Sequence, residues 1–498
     1  MRHVLTSNIL PSAPITARLA SSASLAHRRT RSTRLLGAAV FSAGAASFYL
    51  LASPVLLESP TTDNRAYSIK RTDTAEHPRN YRMAVSTPEQ ASKMLRANET
   101  CKKGIAGSGI SSISFNQVAS NSPIEDDHVE VQTQHGWSLF GIFDGHSGWT
   151  TSDRLKRELA PSIIQTIDST PNAPAEAISK AFVALDQEIV YATAEQLLKQ
   201  LDMPRPKAVE QLMPALSGSC ALLASYDASC RALYVAVTGD SRAILGTRQA
   251  NGAYSVKALS IDQTGSTPSE QERLRREHPQ EIDTVVRNGR ILGGLEPSRA
   301  FGDARYKWSA DVQTKLAAQF FGRRAPANLK SPPYVTAKPE VTQTIIETEA
   351  FLVLGSDGLY EMLSNAEICE LVAGWQTRQG AAATGPTATK SSWVPSFLQA
   401  QKTPAPQVID LDKQNAALAA GQKTPGASKQ VKKQFVYEDT NVATHIIRNA
   451  LGAGNEDMLW GLLSLPYPLS RSYRDDISVT VVFFDGDASS TEPIKAKL

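Results

Sequence analysis

The stretch "LFGIFDGHSG", Leu139 to Gly148, decides how the rest of the chain is read. Its opening "LFGIF" is an apolar run of the kind that forms a strand buried on both faces, and it stops abruptly on an acid, a glycine and a histidine. One reading is a turn, because Asp-Gly is a common way to leave a strand. The other is a carboxylate held at a strand end for chemistry, and one motif alone does not separate them.

Working outward, the pattern repeats. "RALYVAVT" runs into "GDSR" with Asp240, "AFLVLGS" runs into "DGLYE" with Asp357 and Glu361, and "RDD", with Asp475 and Asp476, precedes "ISVTVVFF". Upstream, "SPIEDDHVE" contributes Glu125, Asp126 and Asp127. Each acid could be an ordinary turn or a solvated strand end, but all of them abut apolar strands. If those strands are neighbours, the carboxylates converge on one rim. Such a cluster repels itself unless cations fill it, and hard oxygen donors suit Mg²⁺ or Mn²⁺. Two such ions about 4 Å apart can clamp a phosphoryl group for in-line attack by water. These motifs are rich in carboxylates and poor in histidine, with His146 in the opening stretch, which argues against zinc or a two-histidine iron site.

The candidate strands "GWSLFGIF", "SCALLASYD", "RALYVAVTGD", "RAILGTRQ", "YSVKALS", "AFLVLGSD" and "DISVTVVFFD" are mixed with helical patterns. Those patterns are "RLKRELAPSIIQTI", "AEAISKAFVALDQEIVYATAEQLLKQL", "SEQERLRREHP" and "NVATHIIRNALGA". Strands and helices do not alternate regularly, so the expected class is α+β. Residues 58–103 read as a linker with a short helix near Glu89 to Asn98. From about Arg378 to Gln434, Ala, Gln, Thr, Lys, Pro and Gly dominate, and the expectation is a mobile surface insertion. The folded domain is expected over 104–485, followed by a tail, 486–498.

The first 57 residues differ in kind. They hold six Arg and no Lys, Asp or Glu, so of 52 basic groups in the chain 46 remain against 49 acidic ones. The body is therefore close to neutral and lacks the basic surplus of a nucleic-acid binder. Residues 1–34, rich in Arg and Ser and free of acid, have the composition of a mitochondrial transit peptide. Leu35 to Leu57 is a 23-residue stretch without a charge, long enough to cross a bilayer of roughly 30 Å. We read it as a single inner-membrane anchor, although Ala, Gly and Ser make up about half of it, which also fits a cleaved presequence. Which side the body would face stays open. Cys101, Cys220, Cys230 and Cys369 lie far apart without a Cys-x-x-Cys pair, so neither zinc nor a disulfide framework is indicated, and buried free thiols are expected.

Taken together, "IEDD", "FDGHSG", "SGSCALL", "VTGDSRAIL", "LSIDQT", "SRAFGD", "DGLYE" and "RDDISV" resemble, in this order, the metal-dependent type 2C Ser/Thr protein phosphatases. The likeness runs from about Gly104 to Asp485. The longer phrases "RLRREHP", "SRAFGDARYKWS", "YVTAKPEVT" and "FLVLGSDGLYEML" look like the mitochondrial pyruvate dehydrogenase phosphatase branch. The resemblance implies a sandwich of two antiparallel β-sheets flanked by helices, with the metal cluster at one end. It makes Asp144 the bridge between two ions and the Gly145 carbonyl a further ligand. Glu125 would serve one ion with Asp126 orienting its waters, Asp357 and Asp475 the other, and Asp240 a weaker third. His146 would protonate the leaving seryl oxygen. The implied substrate is a phosphoserine protein, foremost the decarboxylase component of the pyruvate dehydrogenase complex. A phosphatase of another mitochondrial protein or of a small phosphate ester, or a silent scaffold of the same fold, are the alternatives.

Two positions depart from the family pattern. Where many members carry an Arg a few residues before the Glu-Asp pair, "ASNSPIEDD" offers Asn121, a candidate for substrate phosphate. Glu361 stands where Asp is frequent. Arg242 and Arg299 follow strands as structural ion-pair arginines usually do, and are left out of the site.

Overall fold

The computed structural model describes residues 87–133, 136–200, 202–384, 406–414, 422 and 434–486, all within one compact unit, Thr72–Leu498. The transit peptide and the anchor expected over 1–57 lie outside the described residues. Among the described helices, none is long and apolar enough to cross a membrane.

Two sheets are packed face to face. The larger runs Thr100–Lys103, Ile110–Val118, Ile477–Phe484, Ala350–Gly355, Arg242–Arg248, Tyr254–Ala258 and Val408–Asp410 from edge to edge. The smaller runs Glu340–Ile345, Ala232–Thr238, Ala221–Asp227, Trp137–Phe143 and Asp127–Gln132. All neighbours are antiparallel except the last pair of the larger sheet, where Tyr254 to Val256 lie parallel to Val408 to Asp410.

Nearly continuous apolar strands follow from burial on both faces, and their period of two divides them between layers. Phe140, Ile142, Leu222, Ala224, Leu352 and Leu354 point between the sheets, with Val235, Val482 and Phe484. Their sequence neighbours Leu139, Phe143, Ala221 and Leu223 face helices Thr150–Ser169, Pro174–Asp186 and Arg205–Leu216. On the opposite outer face Phe351, Val353, Val479 and Val481 meet helices Asn365–Thr384, Val442–Leu451 and Glu456–Ser464. The result is helix, sheet, sheet, helix.

Four expectations are revised. Over 58–103 the expected short helix is present as Pro88–Leu95, capped by Thr87 and anchored by buried Ala91 and Leu95, but the stretch then read as linker also forms the edge strand Thr100–Lys103. The pattern "AEAISKAFVALDQEIVYATAEQLLKQL" is broken by a π-helical turn, Gln187–Ala192, right after Asp186. Within the stretch expected to be a mobile insertion, the helix from Asn365 continues to Thr384, and Val408–Asp410 joins the sheet. Composition concealed the reason: buried Asp412 accepts bonds from the Ala258 N–H at 3.1 and 3.0 Å and from Asn365 Nδ2 at 3.0 Å, which pins this piece to the core. Finally, all four cysteines are free, but Cys101 and Cys230 are exposed and only Cys220 and Cys369 are buried.

Candidate metal centre and active site

Asp144 directly follows the strand Trp137–Phe143 of the smaller sheet, Asp240 sits where the chain crosses from Ala232–Thr238 to Arg242–Arg248 of the larger, and Asp357 lies two residues past Ala350–Gly355. One end of the sandwich therefore collects all three, and their carboxylate oxygens lie within 4.8 Å of one another. Strands hold them rigidly. The backbones of Asp144 and Cys220 exchange bonds of 3.2 and 2.8 Å, and Cys220 Sγ donates to Asp240 Oδ1 at 3.2 Å. Burial, reinforced by Asp240 and Asp144, pushes the Cys220 thiol well above its ordinary range, so it acts here as a proton donor. The Asp357 N–H points to Asp144 Oδ2 at 3.4 Å.

Glu125 and Asp126 border this cluster without joining the three. Burial, with Asp476 beside it, pushes the Glu125 carboxyl up, while His146 and Arg471 pull the other way. Asp126 is buried and raised well above the carboxylate range by burial and by Asp476, although Ser478 Oγ donates to its Oδ2 at 2.7 Å. Acids driven toward protonation beside three more carboxylates are a site whose electrostatics favour a cation, and the donors are all hard oxygens. The residues thus fit Mg²⁺ or Mn²⁺.

Gly145 lies so close to the Glu125 carbonyl that a Cβ would sit 2.2 Å from that oxygen, which leaves no room for a side chain. Asp475 packs against Gly358, next to Asp357, but its Oδ1 is engaged by Arg471, and it is not one of the three clustered acids. Asn121 differs from the expectation. It is buried, and its Nδ2 donates to Asp476 Oδ2 at 2.9 Å, so its amide organises the loop instead of facing solvent. Arg242 is bound to Asp262 at 2.9 and 2.6 Å, and Arg299 to Glu270 and Glu340, as structural ion pairs.

Three contributors had no role assigned from the sequence. Asp476, second acid of "RDD", accepts from the Asn121 N–H at 2.8 Å and the Glu125 N–H at 2.9 Å, fixing the loop that presents Glu125. Asp303, last residue of "SRAFGD", holds His146 Nε2 at 2.7 Å through its Oδ2. It does so from a left-handed backbone, φ 50°, which Asp tolerates better than most residues. Burial opposes charge on His146, but Asp303, Asp240 and Glu125 outweigh it and raise the imidazole above its usual range. Gly218 completes the group, because a Cβ there would lie 2.1 Å from His146 Nε2. These residues meet in a small sheet, Phe301–Gly302 beside Gly218–Ser219 beside Gly145–His146. The signal for Asp303 and Gly218 lay in motifs already noted, but nothing in them said which atoms would touch.

A carboxylate-lined sandwich end with a buttressed histidine is compatible with a metal-dependent hydrolase site. The family description Protein phosphatase 2C matches residues 111–388, and the chain belongs to that family of protein serine/threonine phosphatases, in its pyruvate dehydrogenase phosphatase branch. It is 40% identical over 395 residues to a protein phosphatase 2C homolog of Schizosaccharomyces pombe, covering 76% of this chain and 81% of that one. With the mitochondrial pyruvate dehydrogenase phosphatase 1 of Saccharomyces cerevisiae it shares 40% identity, over 77% of this chain and 70% of the relative. The human mitochondrial pyruvate dehydrogenase phosphatase 2 is 32% identical, over 81% and 84%. Among solved structures, a serine-threonine phosphatase 2C from Toxoplasma gondii aligns at TM-score 0.42 with 18% identity, over 75% of this chain and 95% of that one.

Proposed function

We propose that this chain is a mitochondrial, metal-dependent phosphatase that hydrolyses phosphoserine on the decarboxylase component of the pyruvate dehydrogenase complex. The convergence of Asp144, Asp240 and Asp357 within 4.8 Å carries the chemistry, and the names of its relatives support the substrate. Asp144, with the Gly145 carbonyl, Glu125, Asp357 and Asp475, would hold two Mg²⁺ or Mn²⁺ ions, with Asp240 beside Asp357 serving a weaker third. When bound, such ions neutralise the phosphoryl oxygens and acidify a water. Asp126, held by Ser478, orients water around Glu125. His146, steered by Asp303, gives its proton to the seryl oxygen as the ester bond breaks. No side chain takes up the phosphoryl group.

The acid-free residues 1–34 and the uncharged run 35–57 support delivery to mitochondria and retention at the inner membrane. Protease protection of the body in isolated mitochondria, before and after outer-membrane rupture, reads the side. For activity, the test is phosphate release from phosphorylated pyruvate dehydrogenase by the purified chain. Release that needs Mn²⁺ or Mg²⁺ and stops with EDTA is expected. Metal-independent release, or none from this substrate alongside other phosphoproteins, refutes the assignment.

A further inference from the structure

The loop before Glu125 supplies no phosphate-binding arginine, and the buried Asn121 amide serves Asp476. Yet another cation stands beside the same loop. The turn Leu469–Ser472 is bolted to it: Ser470 Oγ donates to the Ser120 carbonyl at 2.6 Å, and Ser120 Oγ to the Arg474 carbonyl at 2.7 Å. That turn carries Arg471. Its Nη1 meets Asp475 Oδ1, and Asp475 packs against Gly358, the residue after Asp357, so the guanidinium stands on the acid that flanks the cluster. Its side chain is 37% exposed, and among the described residues Asp475 is its one ion-pair partner. By contrast Arg242, Arg299 and Arg474 are buried.

We propose that Arg471 is the substrate-phosphate residue of this enzyme, binding the phosphoryl oxygens from the turn after helix Glu456–Ser464. The inference rests on the phosphatase reading above. A guanidinium offers five N–H donors in a planar fork that matches phosphate geometry. With one nitrogen on Asp475, the remaining edge is available to a phosphoryl group at the metal centre. Asp475 then does two things, orienting the arginine and moderating its charge. Anchoring on Ser120 ties the turn that carries this cation to the loop before Glu125, and on this proposal the arginine missing from "ASNSPIEDD" is compensated from a different part of the chain.

The test is binding of inorganic phosphate to the Mn²⁺-loaded chain by calorimetry, together with KM and kcat on a phosphoserine peptide, for wild type, Arg471→Ala and Arg471→Lys. Expected for Arg471→Ala is a loss of phosphate affinity and a rise in KM of roughly tenfold to a hundredfold, the span of a charge-assisted pair, with Arg471→Lys in between. Mn²⁺ affinity, titrated separately, and the thermal midpoint should stay close to wild type. Unchanged phosphate affinity in Arg471→Ala overturns the proposal. So does a loss that extra Mn²⁺ restores, which would make Arg471 only a support for Asp475. A wild-type chain that binds phosphate through Arg471 but releases none from phosphoserine would sink the phosphatase reading and with it the role of Arg471 toward a substrate, leaving Arg471 only as a phosphate-binding residue.

Discussion

Gly218→Ala tests whether the His146–Asp303 pair does the work assigned to it. A Cβ on residue 218 would lie 2.1 Å from His146 Nε2, 2.5 Å from Asp303 Oδ2 and 2.7 Å from Asp303 Cγ. Ordinary contact at such atoms begins near 3.4 Å, so the imidazole, the carboxylate or both must retreat by about 1 Å. The 2.7 Å hydrogen bond between them cannot survive that movement unchanged. Misplacing a reacting group by about 1 Å costs on the order of a hundredfold in rate, within the range that general acids contribute. The assay compares kcat on a phosphoserine peptide with kcat on p-nitrophenyl phosphate, whose leaving group departs as a stable anion and needs little protonation. The expected result is about a hundredfold loss on the peptide and only a few-fold loss on the aryl ester. Equal losses on both, or a peptide rate near wild type in a variant that unfolds cooperatively, would refute the assignment of His146 as general acid. Because overpacking can destabilise by about 1–3 kcal/mol, the thermal midpoint is recorded alongside, and Asp303→Asn probes the same pair without added volume.

Other expectations follow from the same geometry. Asp144→Asn should remove nearly all turnover while leaving the thermal midpoint close to wild type; strong residual activity in Mn²⁺-saturated buffer would reject its bridging role. Mn²⁺ should raise the thermal midpoint of the wild-type chain, by about 2.7 kcal/mol of stability at a hundredfold excess over Kd, and a midpoint indifferent to Mn²⁺ would mean the acids do not bind it. At Glu270, burial favours the neutral acid, but bonds from Arg299 and Arg273 prevail and hold its carboxyl at about 2, below the ordinary 4.5. A depressed carboxyl stabilises the fold above pH 4.5, where both states are ionised, and that stability of order 3 kcal/mol is lost as pH falls toward 2 because the unfolded chain takes up the proton first. Glu270→Gln should therefore flatten the acid limb of a stability-against-pH curve, and an unchanged limb would show that the pair contributes little.

The sequence by itself determined the strands and which of their ends carry acids. Runs such as "AFLVLGS" and "ISVTVVFF" have one physical use in a soluble domain, burial on both faces, and a carboxylate following such a run is anchored by the sheet. Asp144, Asp240 and Asp357 were legible for that reason, and so was the hydrolase chemistry their oxygens suit. Tertiary structure decided which polar groups find which partners, because hydrogen bonds and charge pairs depend on atoms brought together from distant segments and leave no local period. Asn121 and Asp476 lie 355 positions apart, and their meeting turns a phosphate candidate into part of the scaffold. Asp303 reaches His146 across 157 positions, and only the packed chain reveals that Gly218 must stay bare between them. The same holds for Val408–Asp410, where polar, low-complexity surroundings suggested mobility and one buried carboxylate, Asp412, supplied the bonds that hold the strand in place.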